Sequence, residues 1–248
     1  MESKDSKVCM FELADIRKVS MAKDVYEPCE VTLWKRYPNI EPCEDSFALV
    51  DAVASSWTLL QESRPQLCVE IGSGSGYVSC SISSILSDLR CSAQILATDI
   101  SFKAAVATRE TLGTHKVANV DVVCTDLFGA LLPNLHGRVD LLVFNPPYVP
   151  TPDDEVPDTA AGAYGADDGI RAAWAGGYRG RRVIDRLLPL VDRVLSPAGH
   201  FFMVTVLENE PEEILESFRG RGFHGRVALE RGADEERLKV LHIARQRL

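Results

Sequence analysis

Four consecutive residues, Asn145-Pro146-Pro147-Tyr148, have the types and spacing best suited to chemistry, and they directly follow the apolar run 139–144. Proline has no backbone N–H and a nearly fixed φ, so the chain must leave this predicted strand in a stiff, extended shape. The side-chain carbonyl of Asn145 and a main-chain carbonyl can each accept one hydrogen of a planar –NH2 group, with Tyr148 covering its flat face. The motif predicts a pocket for an amide or aromatic amine. The alternative is a turn that happens to hold two prolines.

A glycine-rich turn, Glu70-Ile71-Gly72-Ser73-Gly74-Ser75-Gly76, lies upstream, where a strand pattern gives way to a helical one. Glycines there let the backbone approach a ligand closely. The dinucleotide fingerprint Gly-x-Gly-x-x-Gly, counted from Gly72, requires glycine where this chain has Tyr77. The spacing of the three glycines fits instead the shorter turn of a methyltransferase that uses S-adenosylmethionine.

Two carboxylates follow at the ends of the next two predicted strands. Asp99 lies 27 residues beyond Gly72, about where a carboxylate can accept both hydroxyls of a ribose. Asp126 can accept from an adenine amino group, while the N–H of Leu127 reaches a ring nitrogen. Each aspartate, taken alone, could equally cap the following helix. Their order at successive strand ends, before Asn145, favours a site for S-adenosylmethionine.

Short β-branched runs alternate with amphipathic stretches from residue 66 onward, which is typical of a parallel sheet covered by helices. We predict strands near 67–71, 94–98, 120–124, 139–144 and 199–206, and helices near 45–61, 76–87, 101–114, 180–195 and 211–219. Segments 223–230 and 238–244 can supply a closing antiparallel pair. The stretch 151–169, rich in Pro, Asp, Ala and Gly, is predicted to be a mobile loop that acts as a lid. The predicted fold class is therefore α/β, with a seven-stranded, mostly parallel sheet and helices on both faces.

The chain is predicted to divide into an N-terminal extension, residues 1–65, and a main domain, residues 66–248. The helix near 45–61 would lie against the sheet and cover the pocket. Within the extension, Glu27-Pro28-Cys29-Glu30 recurs as Glu41-Pro42-Cys43-Glu44, 14 residues later. The repeat is either a coincidence in a polar segment or a duplication, and only one copy can occupy one site.

Composition and charge disfavour several classes of function. The 248 residues carry a net charge of −9 and a pI near 5.1, whereas salt-driven binding to nucleic acid needs a basic face. The seven cysteines include no Cys-x-x-Cys pair and have no histidine at ligand spacing, so they predict free thiols and no zinc site. No apolar stretch approaches the roughly 18 residues of a membrane span. We expect a soluble protein of the cytoplasm, with the nucleus as a second compartment.

These motifs resemble those of the HemK-like glutamine methyltransferases, and within them the eukaryotic branch that acts on the translation termination factor. The similar segments cover nearly the whole chain from about residue 24: Asp24 to Pro28, Glu44 to Phe47, Glu70 to Gly76, Thr98-Asp99, Thr125 to Leu127, Val139 to Val149, Ala172 to Gly177 and Pro211 to Leu215. Asn-Pro-Pro-Tyr is shared with amine methyltransferases of DNA, whereas the segment around Trp174 is more particular to this branch.

The resemblance implies a class I, Rossmann-like methyltransferase fold with S-adenosylmethionine as cofactor. The residues that it places against the cofactor are Ser46, Glu70, Gly72, Gly74, Asp99, Asp126, Leu127 and Asn145, and those that it assigns to the reaction are Asn145, Pro146 and Tyr148. It implies N5-methylation of the glutamine of a Gly-Gly-Gln motif in the release factor, and for some members methylation of a histone lysine. It also implies a small zinc-binding activator subunit, for which the predicted edge strand Val120 to Cys124 offers a docking place.

The chain departs from the family pattern at the repeat. Family members run Tyr-Glu-Pro-x-Glu-Asp-Thr or Ser without interruption, and removing residues 30–43 would restore that run. We interpret 30–43 as an insert, with the second copy filling the site because Asp45-Ser46-Phe47 follows it. The insert leaves open a different hypothesis, a catalytically impaired isoform that serves as a scaffold. Adenine methylation in DNA is a third hypothesis, disfavoured by the acidic charge and the lack of a target-recognition domain.

Two further features have two interpretations each. Trp174 either closes the lid or packs in the core. The arginines between residues 179 and 186 form either a solvated helix face or a docking surface for an acidic patch of the protein substrate.

Overall fold

A mixed sheet of seven strands organises the chain, of which a computed structural model describes residues 41–157, 173–233 and 236–245. The strands are β1 (Leu67–Ile71), β2 (Gln94–Asp99), β3 (Val120–Cys124), β4 (Val139–Phe144), β5 (Leu195–Thr205), β6 (His224–Ala233) and β7 (Glu236–Ala244). Their order in the sheet is β3-β2-β1-β4-β5-β7-β6. Strands β1 to β5 pair in parallel, and β7 pairs antiparallel with both β5 and β6. The predicted closing antiparallel pair is confirmed.

Seven α-helices accompany these strands in the described ranges. They are α1 (Glu44–Ser55), α2 (Trp57–Ser63), α3 (Tyr77–Asp88), α4 (Phe102–Thr114), α5 (Leu132–Leu135), α6 (Arg182–Val194) and α7 (Pro211–Arg219). Local sequence explains where two of them begin. Ser101 caps α4, because its hydroxyl accepts the N–H of Ala104 at 3.3 Å. Helix α7 starts with Pro211, whose fixed φ suits a first helical position.

Successive residues of the central strands face opposite sides of the sheet. Cys68 of β1 packs in a core cluster with α1 and α3, whereas its neighbour Val69 packs in a second cluster with α6 and α7. Leu141 and Leu142 of β4 divide in the same way. Strands buried on both faces need apolar residues at every position, which explains their continuous apolar runs. The prediction of helices on both faces is confirmed.

The sheet brings the chemically interesting segments to one edge. The ends of three strands lie side by side, since Ile71 of β1 pairs with Thr98 of β2 and with Phe144 of β4. The strand order reverses between β1 and β4, because β2 and β3 extend to one side and β5 to the other. In an open α/β sheet, a ligand crevice forms at the carboxyl ends of the strands at such a reversal.

The structure differs from the prediction most clearly at two elements, and it adds α5 (Leu132–Leu135), which was not predicted. The single helix expected near 45–61 is two helices separated at Ser56, whose hydroxyl donates to the carbonyl of Ala52 at 3.0 Å and bends the chain. Strand β5 begins at Leu195, which pairs with Val139, and not near residue 199. After that pair the register shifts, and regular pairing resumes at His200, which pairs with Leu141.

Several predictions concern residues outside the described ranges. The first copy of the repeat and most of the predicted insert, through residue 40, lie there, and so does the predicted lid from residue 158 to residue 169. The division of the chain after residue 65 stays a prediction. Within the described ranges, no helix has both the length and the apolar character needed to cross a membrane.

Candidate active site

A cavity of about 570 Å³ lies at the carboxyl ends of β1, β2 and β4, with the start of α1 on one side. Small-molecule sites typically occupy about 300–1,000 Å³. Every residue predicted to bind the cofactor lines this cavity: Ser46, Glu70, Gly72, Gly74, Asp99, Asp126, Leu127 and Asn145. Pro146 and Tyr148, predicted to act in the reaction, are not among the lining residues, and Pro146 is buried.

The glycine-rich turn after β1 is attached to β2 through its backbone. The N–H of Ser73 donates to the carbonyl of Thr98 at 3.0 Å, and the N–H of Gly74 donates to Oδ2 of Asp99 at 2.8 Å. Gly76 precedes α3 with a φ of 81°, and a Cβ there would lie 2.9 Å from the Cα of Thr108 on α4. Only glycine meets both conditions. Close packing of α3 on α4 therefore fixes the turn.

Asp99 holds this turn and does not cap the next helix. Its Oδ1 accepts the N–H of Ser101 at 2.8 Å, and Ser101 itself caps α4. Burial raises the pKa of the Asp99 carboxyl, and the hydrogen bonds from Gly74 and Ser101 oppose that shift. A carboxylate has about four acceptor positions. Asp99 therefore retains capacity to accept from the hydroxyl groups of a ligand.

Asp126 forms an ion pair with Arg186 of α6, and both residues line the cavity. The turn that follows, Gly129–Leu131, has Phe128 at its cap position and no side-chain cap, so Asp126 does not cap it. The next residue, Leu127, is buried with a φ of 49°, a left-handed conformation that residues other than glycine rarely adopt. Backbone strain of this kind concentrates at ligand sites.

Of the remaining arginines of the 179–186 cluster, two have acidic partners, whereas Arg182 donates to the main-chain carbonyl of Asp153 at 3.0 Å. Arg179 lies 2.7 Å from Glu210, and Arg181 lies 2.7 Å from Asp185. These pairs neutralise charge that a docking surface for an acidic protein would need. Arg186 fits neither of the two interpretations drawn from the sequence, a solvated helix face or a docking surface. It pairs with Asp126, a contact that only the folded structure reveals.

Glu70 is a buried carboxyl on β1. Its Oε2 accepts the hydroxyl of Ser79 on α3. Burial raises the pKa of Glu70 to about 8, because the charged form loses its hydration, and the hydrogen bond from Ser79 offsets only part of that loss. A cation in the cavity would favour the carboxylate form. The site therefore suits a ligand that carries positive charge.

Asn145 is held by the first turn of α1. Its Nδ2 donates to Oγ of Ser46 at 3.4 Å, and the hydroxyl of Tyr148 donates to Oδ2 of Asp45 at 3.2 Å. The Oδ1 of Asn145 is shielded from water and accepts no hydrogen bond from the described part of the chain. A buried acceptor without a partner costs about 1–3 kcal/mol. An N–H donor on a ligand would remove that cost.

The chain that leaves Tyr148 pairs with the segment 173–177. The N–H of Val149 donates to the carbonyl of Trp174 at 3.2 Å, and the N–H of Gly176 donates back to Val149 at 2.8 Å. Trp174 lines the cavity and is 41% exposed, so its interpretation as a core residue is wrong. Its proposed part in a lid stays a prediction.

Asn209 supports the same exit segment from the interior. Its Nδ2 donates to the carbonyls of Tyr148 and Arg179, each at 2.8 Å, and its Oδ1 accepts the N–H of Val206 at 2.8 Å. Gly180 has a φ of 66°, and a Cβ there would lie 1.8 Å from the carbonyl oxygen of Tyr148. The carbonyl of Tyr148 is therefore enclosed and fully paired, in contrast to the Oδ1 of Asn145.

Comparison with known proteins decides the family. Residues 53–158 match the family described as Methyltransferase small domain. The chain is 45% identical to Methyltransferase HEMK2 of Mus musculus over 205 residues, which span 83% of this chain and 89% of the relative. It is 36% identical to the eRF1 methyltransferase catalytic subunit mtq2 of Schizosaccharomyces pombe, over 83% of this chain and 88% of that one. The chain belongs to the HemK-like methyltransferases.

A solved structure supports the same assignment. The structure is that of the Mtq2-Trm112 complex of E. cuniculi, which is responsible for the methylation of the eRF1 translation termination factor. The match covers 83% of this HemK-like chain and 98% of the matched chain in that complex. The sequence identity is 26% and the TM-score is 0.54. The predicted class I methyltransferase fold is confirmed.

This HemK-like enzyme uses S-adenosylmethionine as its cofactor. The polar residues of the cavity fit that molecule, because Glu70, Asp99 and Asp126 supply acceptors for its positive charge, hydroxyl groups and amino groups. The contact that each of these residues makes with the cofactor stays a prediction. Among the described residues, no cluster of His, Cys, Asp and Glu is arranged to hold a metal ion.

The second copy of the repeat lies at the cavity. Glu41, Pro42 and Cys43 all line it, directly before Asp45 and Ser46. This position agrees with the hypothesis that the second copy fills the site. The hypothesis stays a prediction, because the first copy lies outside the described ranges.

The sequence assigned no role to the side chains of Asp45 and Asn209, and it considered Arg186 only as part of a possible docking surface. Asp45 contacts Tyr148, Arg186 contacts Asp126, and Asn209 contacts Tyr148. The only sequence signal is that Asp45 directly precedes Ser46 within a family-like segment. The roles of Arg186 and Asn209 depend on contacts that no local pattern encodes.

Proposed function

We propose that this enzyme transfers a methyl group from S-adenosylmethionine to the side-chain amide nitrogen of the glutamine in a Gly-Gly-Gln motif of a peptide chain release factor. The observation that carries the proposal is the unpaired Oδ1 of Asn145, a residue of the cavity wall. An acceptor there suits a planar –NH2 group. The names of the relatives that methylate eRF1 support the choice of protein substrate.

The part of the cavity wall at Asn145, here called the acceptor side, would bind the substrate amide. A carboxamide nitrogen is a weak nucleophile, because its lone pair is delocalised into the carbonyl. S-adenosylmethionine supplies an electrophilic methyl group on a positively charged sulfur. Asn145 Oδ1 would accept one amide hydrogen and fix the orientation of the nitrogen, and the Pro146 carbonyl, from a residue that does not line the cavity in this structure, is the predicted acceptor of the other. Both acceptors would bind more strongly as positive charge grows on that nitrogen. No dedicated base is needed before transfer, because the proton becomes acidic only as the N–C bond forms.

A histone lysine is a second acceptor class within the same proposal. An ammonium group has three donors and no lone pair, so a lysine would have to lose a proton before it could react. Methylation of lysine should therefore rise with pH more steeply than methylation of glutamine. A side-by-side pH series on the two substrates separates them.

We also propose that a small zinc-binding activator subunit docks on β3. This strand is an edge of the sheet, and its residues Val120, Val122 and Val123 are only partly buried. An uncovered edge strand with apolar side chains favours pairing with another chain. The complex of Mtq2 with Trm112 in E. cuniculi supports a partner of this kind. We assign the zinc ion to that partner.

Co-expression with the subunit, followed by mass spectrometry of the treated release factor, tests the proposal. One methyl group should appear on the Gly-Gly-Gln glutamine, and none on a release factor with leucine at that position. Failure of a complex that binds the cofactor to modify the glutamine would overturn the substrate assignment. Failure to bind S-adenosylmethionine in calorimetry would instead favour the scaffold hypothesis raised by the insert.

A further inference from the structure

The hydrogen bonds around Asn145 have a direction that Asp45 sets. An aspartate carboxylate only accepts hydrogen bonds. Oδ1 of Asp45 accepts the N–H of Ser46 at 2.6 Å and the hydroxyl of Ser46 at 3.3 Å. The hydroxyl hydrogen of Ser46 is therefore committed to Asp45. The oxygen of Ser46 is left to act as an acceptor.

That direction decides which end of the Asn145 carboxamide faces Ser46. The Nδ2 donates to Oγ of Ser46 at 3.4 Å, and Oδ1 is left without a partner from the described residues. The oxygen and nitrogen of a carboxamide are nearly the same size, so packing alone cannot select between the two orientations. The hydrogen-bonding network selects the orientation that leaves an acceptor for the substrate.

Tyr148 holds the carboxylate of Asp45 in this arrangement. Its hydroxyl donates to Oδ2, the carboxylate oxygen that Ser46 does not use. The two ends of the Asn-Pro-Pro-Tyr segment are thus joined to the same aspartate, one directly and one through Ser46. Helix α1 reaches across 99 residues of sequence to make the contact between Ser46 and Asn145.

We infer that Asp45 is a positioning residue that acts through Ser46 to keep the Asn145 carboxamide oxygen available for the –NH2 group of the acceptor. The identity of that acceptor rests on the proposed function. The orientation of Asn145 does not, because the network belongs to the enzyme without substrate. A competing explanation is purely structural, since an aspartate in the first turn of a helix also stabilises the helix dipole.

A double-mutant cycle separates the two explanations. In Asp45→Ala, the hydroxyl of Ser46 loses its acceptor and can donate to Asn145 instead, which favours the turned carboxamide. The substrate –NH2 would meet another donor, so kcat at saturating cofactor should fall by about tenfold or more, as coupling between contacting residues allows. In the Ser46→Ala background the link is absent, and the same substitution should lower kcat by less than about threefold. Equal losses in the two backgrounds would overturn the inference.

Asp51→Ala is the matched control on the same helix. Asp51 pairs with Arg231 of β6 and does not contact Asn145. Its substitution should lower the melting temperature and leave kcat unchanged. Affinity for S-adenosylmethionine, measured by calorimetry, should be the same in Asp45→Ala and in the wild-type enzyme, because the change acts on the acceptor side.

Nuclear magnetic resonance gives a test that needs no substrate. In the wild-type enzyme, the carboxamide hydrogens of Asn145 should show nuclear Overhauser contacts with the β-hydrogens of Ser46. These contacts should weaken or vanish in Asp45→Ala. If they persist at full strength, the inference is wrong. If the wild-type enzyme methylates no glutamine but the contacts respond as expected, the proposed function fails and the positioning role stands.

Discussion

The two sides of the cavity satisfy their polar groups in different ways. On the cofactor side, Asp99 already accepts from Gly74 and Ser101, and Asp126 is paired with Arg186. On the acceptor side, Oδ1 of Asn145 has no partner among the described residues. Asp99 and Asp126 on the cofactor side therefore have protein partners before the cofactor binds, whereas Oδ1 of Asn145 on the acceptor side is left for the substrate.

The two sides also differ in the sequence separation of the residues that hold them in place. The glycine-rich turn is held by hydrogen bonds to the next strand, such as that from Gly74 to Asp99, 25 residues away. Asn145 depends on Ser46, 99 residues away, and the carbonyl of Tyr148 depends on Asn209, 61 residues away. Substitutions in α1 or near Asn209 should therefore disturb methyl transfer while sparing cofactor binding.

The largest effect is expected at Asn145. Asn145→Ala removes the acceptor for the substrate amide, and loss of one preorganised hydrogen-bonding group of this type lowers kcat by about 10²–10³-fold. Calorimetry should find affinity for S-adenosylmethionine within about threefold of wild type, since the lost contact lies on the acceptor side. Methyl transfer near the wild-type rate would contradict the role of Asn145 and the contrast between the two sides.

Asn119→Ala is the matched control for that variant. Asn119 accepts from Ser83 at 2.7 Å and donates to the carbonyl of Ala93 at 3.0 Å, so both ends of its carboxamide serve the fold. Its replacement should lower stability by about 1–3 kcal/mol, because partners are left unpaired. Transfer at a temperature where the variant is folded should be unchanged.

The second largest effect is expected at Asp99, on the cofactor side. In Asp99→Asn, the new NH2 group would face the N–H of either Gly74 or Ser101, each of which donates to Asp99 in the wild-type enzyme. The cavity would also lose an acceptor for the cofactor. Hydrogen bonds to charged groups contribute about 1.5–3 kcal/mol, so the dissociation constant of the cofactor should rise by roughly 10–100-fold. At saturating cofactor, kcat should recover most of its wild-type value. A kcat that stays low would show that the two sides are not separable.

Sequence predicts the cofactor side more fully than the acceptor side. Gly72, Asp99 and Leu127 each lie at a strand end or within three residues after one, so strand periodicity and glycine spacing suffice to place them together. Asp45 and Asn209 act through contacts with Tyr148, and no local pattern specifies those contacts. The order of the strands could therefore be predicted from the sequence, whereas contacts between single side chains that are distant in sequence could not.

The buried carboxyl of Glu70 predicts how the cofactor side responds to pH. Burial raises its pKa from the ordinary 4.5 to about 8, so the free enzyme holds a proton there at neutral pH. A cationic cofactor favours the carboxylate, and binding must then release that proton. Affinity should rise as pH increases towards 8, by at most about tenfold per unit. In Glu70→Gln, the affinity for the cofactor should no longer vary with pH through residue 70. Only the variation caused by titration of the cofactor itself should remain.

Stability of the free enzyme should follow the opposite direction. Because the folded pKa of Glu70 lies above its unfolded value, its contribution to stability is complete below pH 4.5 and is lost as pH rises through about 8. Denaturant unfolding of wild type and Glu70→Gln across this interval measures the difference. Parallel stability curves for the two proteins would show that Glu70 is ionised in the free enzyme.

The smallest effect is expected at Arg186. Its substitution tests whether the ion pair between Arg186 and Asp126 persists when the cofactor binds. The side chains of Arg186 and Asp126 are 41% and 36% exposed, and ion pairs this exposed contribute about 0–1 kcal/mol. Arg186→Gln should therefore raise the dissociation constant of the cofactor by at most about fivefold, with a difference that shrinks as salt is added. A loss much larger than this, insensitive to salt, would mean that Arg186 binds the cofactor directly. Asp126 would then be paired in the free enzyme only until the cofactor separates it from Arg186, and the cofactor side would resemble the acceptor side in being completed by its ligand.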